Sequence, residues 1–412
     1  MSDPARRPAS NDTPTSATPA SAAPREPAGG TSPSLDARGD LQVGIAQAAL
    51  GFCVTSLGAT LVMLARDLRV PVGSIAWLAS AFGAGLLVAA AAGPVLLRRG
   101  PRPTLRAGAL VLAAGAALLA LAPSPGLAVA GALLLGLGGA GLVLVTPALL
   151  DGPGVAARLT RVNAASSTAG VLAPLALGLL DSLGPSGRLV LLVAVPPLLV
   201  AAAVTIPGTA PGPRAPASVP STSEAPGVPT SRREVTAPRR EVARRWTRVM
   251  LAVSVEFCFA VWAVARLQET GVTPGEAAGL GSTFAIGMAL GRIAAPRLIQ
   301  RVRVVPLCAV AIAAGTLLVV ASNGPVSVAA GLVIAGLGVA PLYPVTLADL
   351  VATPDLRGAH SASLGALASG TAILLAPSAL AALGQVADLR LAFLVTIPLL
   401  VALTAMNPRK AT

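Results

Sequence analysis

Long apolar stretches recur between residues 41 and 406, and they constrain the fold more than any other feature of the sequence. Each stretch is long enough to cross about 30 Å of bilayer hydrocarbon at about 1.5 Å of helix rise per residue. Because unpaired backbone N–H and C=O groups cannot face lipid, each stretch is predicted to be helical. The twelve predicted spans are 41–65, 73–97, 104–122, 126–150, 162–182, 187–206, 247–267, 275–299, 304–322, 325–350, 358–383 and 388–406.

The composition excludes a water-soluble protein. Hydrophobic residues make up 54% of the 412 residues and charged residues 11%, whereas an average soluble domain is about 25% charged. The same apolar content excludes disorder along the whole chain. Aromatic residues are only 2% of the chain, so most apolar residues are small or aliphatic, as in closely packed membrane helices. The predicted fold class is an all-α membrane protein with twelve transmembrane helices.

Segments of different composition divide the chain into parts. Residues 1–40 are rich in Pro, Ala, Ser, Thr and Gly and are predicted to form a disordered cytosolic tail. Residues 207–245 are rich in Pro and Arg and are interpreted as a basic cytosolic linker. The linker separates an N-terminal six-helix bundle, 41–206, from a C-terminal six-helix bundle, 246–406. A short cytosolic tail, 407–412, follows the second bundle.

The positions of the basic residues predict the orientation in the membrane. Successive spans cross the membrane in opposite directions, so the segments between them lie alternately on its two sides. Of the 30 basic residues, 24 lie in segments on one side, five lie in segments on the other, and Arg292 lies within a span. Because loops rich in Lys and Arg remain in the cytosol, both termini are predicted to be cytosolic. The net charge of +13 therefore reflects topology, and no nucleic-acid partner is expected. The linker arginines are interpreted as a topology signal, the alternative being a clamp on anionic lipid headgroups.

The two halves of the sequence repeat each other at an offset of about 200 residues. Near the end of each half, Arg188 and Pro196 recur as Arg390 and Pro398. Two halves in the same orientation imply a pseudo-two-fold axis along the membrane normal, which suits a binding site that opens to each side in turn. The glycines that recur in spans four and ten are Gly131, Gly136 and Gly138 with Gly331, Gly336 and Gly338.

The loop after span two resembles a motif of the major facilitator superfamily, G-x-x-x-D-R-x-G-R-K/R. Leu97 replaces the acid of the motif. The resemblance covers about residues 41–406 and implies alternating access, with spans one, four, seven and ten around a central cavity. The matching residues, which the resemblance makes a candidate gating loop, are Gly93, Arg98, Gly100 and Arg102.

Two weaker resemblances concern the direction of transport. The segment from Gly170 to Gly178 in span five resembles the G-x-x-x-G-P-x-x-G-G motif of drug/proton antiporters. The segment from Gly336 to Pro344 in span ten is similar to the fucose-permease-like branch. The two imply opposite directions, so the sequence leaves the branch unresolved.

Glu256 is the candidate proton carrier. It lies ten residues after Trp246 in span seven, about 15 Å into the membrane. An ionised group at that depth costs several kcal/mol unless it meets a partner or water, so such a carboxyl can alternate between a charged and a neutral form. The alternative is a structural glutamate that is protonated or salt-bridged.

Arg292, in span eight, is predicted to take part in proton coupling together with Glu256. It follows Gly287 and Gly291, which form a GxxxG helix contact. Three roles remain open for its side chain. It can reach the cytosolic surface, pair with Glu256, or bind an anionic substrate.

Six other residues are candidates for the wall of the substrate cavity. Tyr343 lies between Pro341 and Pro344, where a bent helix would let the phenol contact a ligand. The alternatives are a packed phenol at a kink for Tyr343 and simple packing for Trp262. The candidate substrate-binding residues are Gln47, Thr55, Thr146, Trp262, Tyr343 and Thr346.

No cofactor or metal is expected, and the protein is not predicted to be an enzyme. The three cysteines lie in separate apolar runs without CxxC spacing, and His360 is the single histidine. Adjacent residues of a helix point about 100° apart, so His360 and Ser361 do not form a nucleophile–base pair. The sequence contains no phosphate-binding loop, which argues against ATP-driven pumping.

Together these patterns predict a secondary active transporter of a small organic solute. The apolar cavity walls favour export of a drug-like or neutral metabolite in exchange for protons. The alternatives are proton-coupled import of a sugar or metabolite and, in another class, a channel or a non-transporting membrane scaffold. The expected partners are the solute, protons and lipid. A bacterial inner membrane is expected, because arginine almost replaces lysine in this chain, as GC-rich bacterial coding produces. The protein is expected to be a monomer.

Overall fold

The structure is a computed structural model that describes residues 33–75, 77–150, 155–204, 239–301, 304–353 and 358–407. Every secondary-structure element in this part of the chain is a helix. Most of the predicted N-terminal tail, most of the linker, and residues 408–412 lie outside the described residues.

The first half contains seven α-helices in the described ranges. Short 3-10 turns at Val72–Ile75 and Gly187–Ala194 precede α2 and α7. The helices are α1 (Pro33–Asp67), α2 (Trp77–Ala91), α3 (Gly93–Arg98), α4 (Pro101–Leu121), α5 (Pro125–Leu149), α6 (Val155–Ser182) and α7 (Val195–Ala203).

The second half has a similar order of elements. A 3-10 turn at Phe393–Val395 joins its last two helices. The helices are α8 (Arg239–Gln268), α9 (Pro274–Arg301), α10 (Val304–Ala321), α11 (Pro325–Val339), α12 (Leu342–Val351), α13 (Gly358–Ala392) and α14 (Thr396–Ala405).

The described residues contain 9 helical segments that are long and apolar enough to cross a membrane, together with two shorter apolar helices. The last of the nine, Ser363–Ala405, has 43 residues, more than the roughly 20 that one crossing needs. Its backbone leaves helical geometry at Ala387 and Asp388. The apolar all-α fold is confirmed, whereas the count of twelve spans remains a prediction.

Three boundaries differ from the prediction. α1 begins at Pro33, so residues 33–40 are helical and not part of a tail. α8 begins at Arg239, so residues 239–245 are helical and not part of the linker. Hydropathy detects only the apolar part of a helix, and both helices carry charged first turns. Predicted span ten is split into α11 and α12, because Pro341 lacks the N–H that would continue the ladder.

Matching glycines bring equivalent helices together in the two halves. A Cβ added to Gly115 on α4 would lie 2.6 Å from the backbone N of Leu135 on α5. A Cβ added to Gly315 on α10 would lie 2.6 Å from the backbone N of Ala335 on α11. Both positions of the first contact recur 200 residues later in the second contact, with the glycine kept and Leu135 replaced by Ala335. The sequence repeat is therefore also a repeat of helix packing.

In the described residues, the halves meet mainly through α1 with α8, α2 with α13, and α6 with α9, and α1 also contacts α9. A Cβ on Gly58 would lie 2.6 Å from the carbonyl oxygen of Ala260, and one on Gly178 would lie 2.5 Å from that of Gly275. Both contacts lie toward the ends of the spans that are predicted to face outward.

Replacing Gly115 or Gly315 with Leu is expected to lower the melting temperature of the purified protein in detergent. The added side chain has no room against the neighbouring backbone, and overpacking of this kind costs about 1–3 kcal/mol. The control is Gly126→Leu, because a Cβ at Gly126 meets nothing within 4 Å. Melting of Gly115→Leu at the temperature of Gly126→Leu would contradict the contact.

Candidate functional site

Glu256 lies on the face of α8 that is directed toward the other half. Ala260, one helical turn further along, touches Gly58 of α1 through its carbonyl oxygen. The helix neighbours Val255 and Phe257 are buried, whereas Glu256 is only partly buried. Its carboxylate forms no ion pair within 4 Å among the described residues. A carboxyl thus borders the junction of the halves, at a depth that the sequence predicts to be near mid-membrane.

Arg292 on α9 connects the two halves. Its Nη1 donates a hydrogen bond of 2.7 Å to Oγ of Ser167 on α6. The guanidinium also acts on Glu256 electrostatically, at a longer range than an ion pair. Arg292 does not form an ion pair with Glu256 in this conformation, which was one of its three predicted roles. The Arg292 residue is exposed.

Tyr343 completes the cluster around Glu256. The residue is partly buried on α12, its hydroxyl has Ser369 of α13 as its hydrogen-bonding partner, and it lies within electrostatic range of Glu256. Ser369 donates a bond of 3.0 Å to the carbonyl oxygen of Gly365. Ser369 is one of four serines in predicted span 358–383, so no signal in the sequence distinguished it.

We call Glu256, Arg292, Tyr343, Ser167 and Ser369 the central cluster. Its members come from both halves and from five helices, α6, α8, α9, α12 and α13. The central cluster is the candidate functional site, because it gathers one carboxyl, one guanidinium and three hydroxyls at the junction of the two halves.

The candidates from the first half have partners within that half. Gln47 Nε2 donates a bond of 2.5 Å to Oγ1 of Thr146, and Thr146 donates one of 2.8 Å to the carbonyl oxygen of Leu142. Thr55 donates to the carbonyl oxygen of Gly51 at 2.9 Å. Gln47 and Thr146 are buried, and Thr55 is partly buried. A role for the three in substrate binding remains a prediction.

Two candidates from the second half are buried and bonded as well. Trp262 Nε1 donates a bond of 3.0 Å to the carbonyl oxygen of Pro377, which joins α8 to α13. Thr346 donates a bond of 2.8 Å to the carbonyl oxygen of Leu342, one turn back on α12. The structure therefore places Tyr343 beside Glu256 but gives the polar groups of Trp262 and Thr346 partners in the protein.

The candidate gating loop lies between α3 and α4. Gly100 has φ +96, a conformation that glycine adopts without strain. Pro101 then takes the first position of α4, where its missing N–H costs nothing. Arg98 and Arg102 are exposed, and Gly93 is buried at the start of α3.

An ionic network closes the predicted outer end of the first half, and the sequence analysis missed it. Arg66 binds both carboxylate oxygens of Asp181, at 2.7 and 2.8 Å. Arg188 pairs with Asp67 at 2.9 Å. A Cβ on Gly275 would lie 3.3 Å from Asp181, so the network adjoins the second half.

The second half has its own charged group at the predicted outer end. Arg266 is buried and donates a bond of 2.5 Å to the carbonyl oxygen of Ser322. Burial raises the pKa of the Glu269 carboxyl, while Arg266 opposes the rise and Asp388 adds to it.

At the predicted inner end, Arg248 forms a buried ion pair. Its Nη1 lies 2.8 Å from Oδ2 of Asp349, and its Nη2 donates a bond of 2.8 Å to Asn407. The side chain of Arg248 is only 2% exposed. The sequence analysis grouped Arg248 with the linker as a topology signal, because the sequence does not show that Asp349 lies beside it.

Among the described residues, no group of three or more His, Cys, Asp or Glu side chains lies close enough together to hold a metal ion. Cys53, Cys258 and Cys308 are buried and free on three different helices.

One face of α9 packs on α6 near the predicted outer end and is exposed farther along the helix. Gly275, Gly279, Ile286, Leu290 and Ile293 share one face of α9. The first two touch α6. The last three are exposed by 36%, 49% and 68% in that order.

Cysteines at Ser80 and Ser378 are expected to form a disulfide on mild oxidation. The two hydroxyls are in contact between α2 and α13, on the side where the halves meet. The disulfide is read from a gel-mobility shift or from loss of maleimide labelling, and it should stop transport by holding the outer side closed. A control pair uses Ser80 with the partly buried Ser327 of α11, which is not in contact with it. Equal cross-linking of the two pairs would contradict the contact.

Comparisons with known proteins agree with this architecture. A sequence model of the Major Facilitator Superfamily matches residues 43–266. The fold is similar to that of the nucleoside transporter NupG, with a TM-score of 0.66, 12% identity, and coverage of 91% of this chain and 100% of that one. It is also similar to a bacterial homologue of the human lysosomal transporter Spinster, inward-facing and unoccupied, with a TM-score of 0.62, 15% identity, and coverage of 92% and 97%. No curated protein matched the sequence.

The family match covers more than half of the chain and reaches from α1 into α8. With the apolar helices, it makes the protein a multi-pass membrane protein and a secondary transporter of small solutes, not an enzyme. The chain belongs to the major facilitator superfamily.

Proposed function

We propose that the protein is a proton-coupled exporter of a small organic solute with a mainly apolar body, and that Glu256 carries the proton. The observation that supports this most directly is the position of Glu256. The carboxyl is partly buried at mid-membrane depth, faces the other half, and has no ion pair within 4 Å among the described residues.

A carboxyl in this position suits proton coupling for a physical reason. Its charged form is costly in a low-dielectric site and cheaper when water or a cation approaches. Rocking of the two halves changes the contact of Glu256 with water, with Tyr343 and with Arg292. The same motion that moves the solute therefore changes the affinity of Glu256 for a proton.

The bonding of the other candidates favours a mainly apolar solute. Gln47, Thr146 and Trp262 already donate hydrogen bonds within the protein. A sugar would need many free polar partners, since each unpaired buried hydroxyl costs free energy.

The second candidate function is proton-coupled import or other symport of a metabolite. It is favoured by the presence of Arg292 near Glu256, since a cation that is freed when Glu256 is neutral can hold a solute anion. We further propose a location in a bacterial inner membrane with both termini in the cytosol, and a monomeric carrier. A channel or a scaffold would show no concentrative flux.

Glu256→Gln is expected to abolish accumulation driven by a pH gradient while the protein remains folded. The amide keeps the size of the side chain but cannot exchange a proton at this depth. A growth screen in a transporter-deleted host identifies a solute, and flux of that solute is then measured in proteoliposomes under an imposed pH gradient. The sign of the flux separates antiport from symport.

The matched control is Glu276→Gln. Glu276 is an exposed acid at the start of α9 that accepts hydrogen bonds from Thr273, far along the helix from the central cluster. Coupled flux at the wild-type level in Glu256→Gln would remove Glu256 from the mechanism. A loss of equal size in both variants would show that the effect is not specific to this carboxyl.

A further inference from the structure

Arg292 points toward the interior of the protein and not toward lipid. It lies on the same face of α9 as Gly281 and Met288, at spacings of eleven and four residues. A Cβ on Gly281 would lie 2.7 Å from Val264 of α8, and Met288 is buried. This face is directed at α8, and the bond to Ser167 carries the guanidinium across to α6 of the first half.

The guanidinium lacks a close counter-charge. Its hydrogen-bond partner, Ser167, is neutral, and no carboxylate lies within 4 Å of it in the part of the chain that the structure describes. Glu256 acts on Arg292 only at longer range. A cation inside a membrane protein is costly unless it is paired or hydrated, so an anion that reaches the junction of the two halves would meet an unneutralised cation.

Further donors stand beside the guanidinium. Asn163 and Ser167 lie one turn apart on α6, on the same face as Gly178, which touches α9. Asn163 is exposed and Ser167 is partly buried. An oxyanion at Arg292 could therefore accept bonds from a guanidinium, a hydroxyl and an amide. The planar guanidinium fork matches a carboxylate with two parallel bonds.

We propose that Arg292 is the anion-binding subsite of the central cluster and that the solute is an organic acid with one carboxylate on an apolar body. This inference rests on the second candidate function, proton-coupled symport, and names its substrate class. The carboxylate replaces Ser167 as the main partner of Arg292. The apolar body of the solute extends from Arg292 into the junction of the two halves.

Glu256 then sets when the anion binds. An ionised Glu256 weakens the positive potential around Arg292 and repels the carboxylate of the solute. A neutral Glu256 has neither effect. The proton and the organic acid therefore bind together, and an organic acid crosses in the same direction as the proton. For this class of solute, the subsite favours the second candidate function.

The test measures binding of carboxylates to the purified protein against their neutral amides. The probes are benzoate, 4-phenylbutyrate and decanoate, each with its amide, at pH 7.5. We expect wild-type protein to bind at least one carboxylate about tenfold more tightly than its amide, which corresponds to about 1.4 kcal/mol. Arg292→Gln should lose this preference, and Arg240→Gln, which changes an exposed arginine at the start of α8, should retain it.

A second pair of variants leaves Arg292 in place. Ser167→Asp puts a carboxylate next to the guanidinium and should remove the preference by neutralising it. Ser167→Asn adds nearly the same volume without charge and should retain it. This pair gives an answer even where Arg292→Gln does not fold.

The inference is overturned if no carboxylate binds more tightly than its amide, or if the preference survives in Arg292→Gln and in Ser167→Asp. Glu256→Gln separates this inference from the proposed function, because the variant should bind the carboxylate at least as well as wild type. Normal coupled flux in Glu256→Gln would refute the proton role and leave the anion subsite standing.

Discussion

Close contact between helices at glycines is the constraint on which the rest of the structure depends. Inside a bilayer there is no hydrophobic force between helices, so packing must hold them together. The contacts of Gly115 with α5 and of Gly315 with α11 bring backbones together at the same place in each half. Each half can then move as one body, and polar groups at the junction change their surroundings without a rearrangement of the helices that carry them.

The sequence predicted the fold class because apolar length and glycine spacing are local properties. The matching packing of Gly131 and Gly331 followed from the offset of 200 residues. Helix ends were predicted less well, since the polar first turns of α1 and α8 carry no hydropathy signal. The split of span ten at Pro341 was visible as a proline, but a proline can either bend or divide a helix.

The candidate site was only partly predictable. Glu256 and Tyr343 stood out as rare residue types in apolar spans, and the structure brings them together. Ser167, the partner of Arg292, and Ser369, the partner of Tyr343, are common residues, and contact with them depends on which helices are neighbours. The pairing of Gln47 with Thr146 shows the reverse case, in which two rare polar residues use their hydrogen bonds on each other.

The bond from Arg248 to Asn407 has a practical consequence for anyone handling this protein. Arg248 is almost wholly buried, and Asp349 and Asn407 together satisfy its two terminal nitrogens. Asn407 comes directly after the last helix, so a deletion that removes it would leave a buried guanidinium short of an acceptor. Affinity tags and reporter fusions therefore belong after residue 407, with a spacer that leaves this last turn undisturbed.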